Sequence, residues 1–120
     1  MNITGPAQRV RIYVGEADRW QGRPLADAIV QRARAAGLAG ATARRAVAGF
    51  GARSRIHNAD ILQLSEDLPV VIDLLDGAER LAAFLPALDE MVGEGLVVTQ
   101  AVDVLKYEAP APPPAADPPA

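Results

Sequence analysis

Cysteine is absent from the 120 residues, which excludes disulfides, zinc–thiolate centres and thiol catalysis. Histidine occurs once, at His57, and one imidazole cannot anchor a histidine-based metal site alone. Aromatic residues make up 4% of the chain and its net charge is −3, so there are few rings to stack on bases and no basic surplus to hold a phosphate backbone. No nucleic-acid partner is expected. No apolar run reaches the length of about 18 residues that a membrane span requires, and Met1 to Ala7 lacks the basic-then-apolar layout of a signal peptide. A soluble cytoplasmic protein is the expectation. Neither the Walker phosphate loop nor the Rossmann glycine pattern is present.

What is present is half hydrophobic and long enough for one core, but too short to divide into two. Charge is distributed unevenly along the chain. Residues 1–57 carry ten arginines against Glu16, Asp18 and Asp27, a balance of +7, whereas residues 58–120 carry twelve acids against Arg80 and Lys106, a balance of −10. Either the arginines line an anion site, or the two halves interleave in the fold and neutralise one another.

Gln8 to Gly15 alternates Val10, Ile12 and Val14 with Arg9, Arg11 and Tyr13, the period of a strand with one face on a core. Leu25, Ala28, Ile29, Ala33 and Ala36 recur at helical spacing, with Pro24 suited to the first turn and Gly37 to a left-handed stop. A second strand is expected over Ala41–Ala48 and a third, buried on both faces, over Val70–Leu75. Asp76 with Glu79 three residues on reads as the start of a second helix, striped by Leu81, Phe84, Leu85, Leu88 and Val92 and kinked at Pro86. Leu96–Tyr107 contains the last strand, expected in two pieces around Thr99–Ala101. Residues 1–108 thus form one domain, and the proline-rich tail 109–120 is too poor in apolar side chains to repay its ordering entropy, so a disordered extension is expected.

Strand–helix–strand, twice over, predicts an α+β ferredoxin-like βαββαβ fold: an antiparallel sheet of order 4-1-3-2, strands counted along the chain, with both helices on one face. The uncovered face would carry Arg11, Tyr13, Val71, Asp73, Leu75, Asp103, Leu105 and Tyr107, with Arg11 within reach of Asp73 or Asp103. Such a mixture suits contact between identical copies.

Gly49, Phe50, Gly51, Arg53, Ser54, Arg55 and His57 form the stretch most suggestive of a ligand site: glycines that permit close backbone approach to an anion, followed by charge-assisted donors. The same spacing also describes a turn with solvated arginines. Glu16 and Asp18 could act as acid and base or hold magnesium, and Trp20 could cover a ligand or a subunit contact. Ser54, His57 and Asp60 resemble a hydrolytic triad only superficially, because neighbours on one loop seldom reach its geometry.

Arg11-Ile12-Tyr13-Val14-Gly15-Glu16, Gly37-Leu38-Ala39-Gly40-Ala41-Thr42, Gly49-Phe50-Gly51 through His57, Leu64-Ser65-Glu66-Asp67-Leu68-Pro69 and Phe84-Leu85-Pro86 with Asp89-Glu90-Met91 together resemble the PII-like family catalogued as domain of unknown function 190. The resemblance runs from about Arg9 to Tyr107. It implies kinship with the PII signalling proteins, which are ferredoxin-like trimers that bind ATP or ADP between subunits and touch transporters or enzymes through a long loop. Gly93-Glu94-Gly95 matches where those proteins approach the phosphates. Their glutamine after the Gly-Phe-Gly turn is absent, Leu96 stands at the phosphate-binding lysine position, and no tyrosine lies in the loop for nucleotidylylation. The resemblance therefore implies a homotrimer without a cofactor or metal that binds a small anionic ligand, with ATP, ADP or another nucleotide among the candidates. Because members tend to be encoded beside fluoride-channel genes, it also makes a membrane channel or transporter a candidate partner. A small enzyme using Glu16, Asp18 and His57, or a purely structural oligomer, would be the alternatives.

Overall fold

The structure is a computed structural model that describes residues 2–50 and 68–110. In chain order it contains β1 (Asn2–Gly15), β2 (Arg19–Trp20), β3 (Arg23–Pro24), α1 (Leu25–Ala35), β4 (Gly40–Arg45), β5 (Pro69–Asp76), α2 (Ala78–Met91) and β6 (Leu96–Glu108). The four long strands form one sheet of order β4-β5-β1-β6, every neighbouring pair antiparallel, so the α+β reading holds.

Inward residues of the two central strands, Val10, Ile12 and Val14 on β1 and Val70, Ile72 and Leu74 on β5, share one core with Leu25, Ala28, Ile29 and Ala33 of α1 and with Leu81, Phe84, Leu88 and Met91 of α2. Period two on the strands and period 3.6 on the helices meet on one side of the sheet. No helix among the described residues is long and apolar enough to cross a membrane.

Several elements differ from the sequence expectation, each for a local reason. β1 begins six residues early and runs through Gly5 and Pro6. There, among the described residues, it pairs with β6 alone, so the missing proline N–H deprives no second neighbour among them. β6 is one unbroken strand of 13 residues rather than two pieces. Its irregularity lies further along, where Gly5 pairs with Val104 but Ile3 with Tyr107, so Leu105 and Lys106 together oppose Thr4 in a β-bulge. Asp103, opposite Pro6, does not share the sheet's open face with Arg11, and Leu105 sits in the bulge. Register puts Leu96, Val98 and Gln100 there instead, opposite Tyr13, Arg11 and Arg9.

Pro24 is the N-cap of α1 and closes a hairpin of β2 and β3 that composition alone does not announce. Gln21 and Gly22 both have positive φ, the backbone of a type I′ turn. Within α2, Leu85 and Pro86 face outward. The helix is continuous through Pro86, whose cost of about 3 kcal/mol is offset by the buried stripe on the opposite side.

Asp76 is the clearest correction. It is the last residue of β5 and only 2% exposed, and the N-cap of α2 is Gly77. Its carboxylate accepts hydrogen bonds from the Ala39 N–H (2.9 Å) and the Gly77 N–H (2.6 Å) and pairs with Arg80 Nε at 3.2 Å. Arg80 in turn donates to the Gly37 carbonyl at 2.6 Å, so one ion pair ties the C-terminus of α1 to the start of α2.

Candidate functional site

The end of the sheet where β1 and β4 finish and β5 and β6 begin gathers the described candidates. Glu16 follows β1 directly; its N–H donates to the Leu68 carbonyl (2.9 Å), and Arg45 Nη1 at the end of β4 donates to its Oε1 at 2.5 Å. Asp18, 6% exposed, closes the turn: Gly15 N–H donates to its carboxylate (2.8 Å), and its own N–H donates to the Gly15 carbonyl (3.1 Å). Its carbonyl also accepts the Leu25 N–H (2.8 Å), which fixes the start of α1. The two carboxylates considered as an acid–base pair are thus committed to different structural partners. Trp20, on the hairpin, is half-buried and packs on the rim of the core.

Ala46 N–H donates to the Pro69 carbonyl (2.9 Å) and adds a last rung beyond β4. Beyond it Gly49 adopts φ +144°, in the range that favours glycine, and Phe50 is exposed. Gly51, Arg53, Ser54, Arg55, His57 and Asp60 lie outside the described residues.

Across the end of the sheet, Gly93–Gly95 connects α2 to β6. A Cβ on Gly95 would fall 2.8 Å from the Tyr13 carbonyl oxygen, so only glycine lets this turn lie against the end of β1. Between the turn and the hairpin is a cavity of about 270 Å³ lined by Asp18, Arg19, Leu25, Met91, Gly93 and Glu94. No group of three His, Asp or Glu side chains that could hold a metal ion occurs among the described residues.

The open face carries an arrangement that only half emerged from sequence. Arg11 grips Asp73 with two parallel bonds, Nε to Oδ1 at 2.7 Å and Nη2 to Oδ2 at 3.1 Å, the bidentate geometry in which guanidinium and carboxylate bind most strongly. Arg44 of β4 donates to the same Oδ2 at 3.1 Å, and Arg9 beside them donates to the Gln100 amide. Two guanidinium groups thus hold one carboxylate, and a third stands on the same face bonded to a neutral amide. Arg44 was missed because its strand was legible only in outline; once β4 is set against β5, Arg44 stands opposite Val71, one rung along from Asp73 on the same face.

Hydrogen bonding from Arg11, reinforced by Arg44, holds the Asp73 carboxyl below the usual carboxylate range against a smaller opposing effect of burial, and Asp73 keeps Arg11 more firmly protonated. A carboxyl whose folded pKa is depressed stabilises the fold above its unfolded pKa of about 4, and that stability is lost as pH falls through the lower folded value. Urea midpoints are therefore expected to fall between pH 5 and pH 2, and Asp73→Asn is expected to flatten that part of the profile. An unchanged slope in the variant would assign the acid sensitivity elsewhere.

A four-stranded antiparallel sheet with two helices is the architecture of the PII-like proteins. The fold is similar to the crystal structure of a protein from Thermus thermophilus described as PII-like signalling, with a TM-score of 0.56 and 19% identity over 84% of this chain and 91% of that one. CPII from Thiomonas intermedia K12, solved bound to ADP, AMP and acetate, is similar at a TM-score of 0.49 and 19% identity, over 85% of this chain and 91% of that one. In sequence, the DUF190 family model, described as "Uncharacterized ACR", matches residues 7–104. A UPF0166 protein of Aquifex aeolicus (strain VF5) is 35% identical over 98 residues, 80% of this chain and 90% of that protein. The chain belongs to the DUF190 family.

Proposed function

We propose that this chain is a PII-like regulatory protein of the cytoplasm, ferredoxin-like in topology, that assembles as a homotrimer and binds a small anionic or nucleotide ligand in the clefts between copies. The observation that carries the reading is the open sheet face, where Arg11 and Arg44 hold the carboxylate of Asp73 and Arg9 stands on the same face, bonded to the Gln100 amide. Two surplus positive charges on a face flanked by Leu96 and Val98 favour an anion and a partner surface together. Glu16 follows β1 at the end of that sheet, Gly49 and Phe50 follow β4, and Gly51, Arg53, Ser54, Arg55 and His57 continue from them in sequence. Ligand binding would change which partner, such as a membrane channel or transporter, the trimer engages.

Calorimetric titration with ATP, ADP, AMP, cyclic nucleotides and fluoride tests the reading. A ligand at a hundred times its Kd stabilises the fold by about 2.7 kcal/mol, which raises Tm by roughly ten degrees or more in a domain of this size. Binding heat and such a shift with at least one of these probes is the expected outcome, and neither with any of them is the contrary one. The enzymatic alternative finds no support in Glu16 and Asp18, whose carboxylates already hold Arg45 and the Gly15 N–H.

A further inference from the structure

Among the exposed large hydrophobic residues, four lie on β6: Leu96, Val97, Val98 and Leu105. Among the described residues the strand is hydrogen-bonded to β1 alone, and its other edge has no strand beside it. Sheets ordinarily blunt such an edge with charge or brevity. The opposite edge does so, since β4 has six residues and ends in Arg44 and Arg45, whereas β6 has thirteen. A strand so long, apolar and open among the described residues is a surface suited to a cover.

Two features of β6 complement each other. At its start, Val97 on the helix side and Leu85, Pro86 and Val92 of α2 and its end form a groove of about 760 Å³, with Asp89 as its charged lining residue. Leu85 and Val97 are each 40% exposed there. Near the other end, the bulge breaks the alternation. Val104 and Tyr107 are both half-buried though three apart, and Leu105 and Lys106 between them are both exposed, Leu105 at 91%. A large apolar side chain and a cation therefore stand together on the rim of the β1–β6 ribbon. Lys106 is the chain's single lysine, and neither it nor Asp89 has an ion-pair partner among the described residues.

We infer that the Leu105–Lys106 bulge of one copy docks in the groove between α2 and β6 of the next, Leu105 entering between Leu85 and Val97 while Lys106 meets Asp89. This rests on the oligomeric reading proposed above and specifies its contact. Val97 and Leu105 are eight residues apart on one strand, about 26 Å, so a copy cannot fill its own groove. Knob and groove are different patches, so the contact runs head to tail and a limited number of copies is reached only if the ring closes.

The absence of native cysteine gives a clean test. Full-length Leu105→Cys and Leu85→Cys chains, each checked for a native melting curve, are treated with a short bismaleimide alone and as an equimolar mixture. The expected result is a cross-link in the mixture and in neither variant alone, with the double variant linked into a covalent species of the native oligomer's mass. Lys106→Asp is expected to weaken self-association at least tenfold, and adding Asp89→Lys to restore it. Leu105→Cys linking to itself, an oligomer without the mixed cross-link, or charge reversal without effect would each overturn the docking while leaving the oligomer standing. A monomer at micromolar concentration would overturn both, and ligand binding is read separately by calorimetry.

Discussion

Replacing Asp76 with alanine is expected to destabilise the fold by about 3 kcal/mol, lowering Tm by roughly 12–24 °C. The side chain is 2% exposed and serves three donors, the Ala39 and Gly77 N–H groups and Arg80 Nε. Alanine leaves two backbone donors without a partner, and each such loss costs about 1–3 kcal/mol when no water replaces it. It also frees Arg80, whose guanidinium otherwise holds the Gly37 carbonyl at the end of α1. Asp76→Asn keeps one acceptor oxygen and is expected to cost about half as much. Glu79→Ala, on the exposed first turn of α2, should stay within about 0.5 kcal/mol. Urea unfolding of the three variants separates this buried junction from an ordinary helix cap, which predicts about 1 kcal/mol for Asp76.

Gly95→Ala is expected to cost about 2 kcal/mol, although it adds a single methyl group. That methyl carbon would lie 2.8 Å from the Tyr13 carbonyl oxygen and 3.1 Å from Val92 Cγ1. The first neighbour is backbone of a central strand and cannot swing aside, so the turn itself must move, at the cost of about 1–3 kcal/mol typical of overpacking. Gly93→Ala meets nothing within 4 Å and should change stability by no more than about 0.5 kcal/mol. Equal effects at the two positions would mean that the turn does not depend on its close approach to β1.

The elements most legible in the sequence were those whose side chains alone determine their state. Val10, Ile12 and Val14 on β1 and the apolar run on β5 can satisfy their faces only as strands over a core, and both are. The Arg11–Asp73 pair was also accessible, because neighbouring antiparallel strands bring charges on the same face within reach. Asp76 misled because aspartate three residues before glutamate is the pattern of a capping box, and nothing local reveals that Ala39, 37 residues away, supplies the competing donor. The early start of β1 was hidden by Gly5 and Pro6, residues that argue against a strand unless its far edge is free. The β2–β3 hairpin has two residues per strand, too few for any period to show. At the candidate site, Glu16 and Trp20 could be named from sequence, but their partners could not. The Glu16–Arg45 bond crosses between the ends of β1 and β4, and Trp20 packs on a core assembled from both halves of the chain.

In the assembly proposed above, other copies cover the open sheet face and strand β6. Sedimentation equilibrium of the full chain at micromolar concentration tests this most directly. The predicted result is a single species of three times the 12.6 kDa chain mass. A single species at the mass of one chain would contradict it.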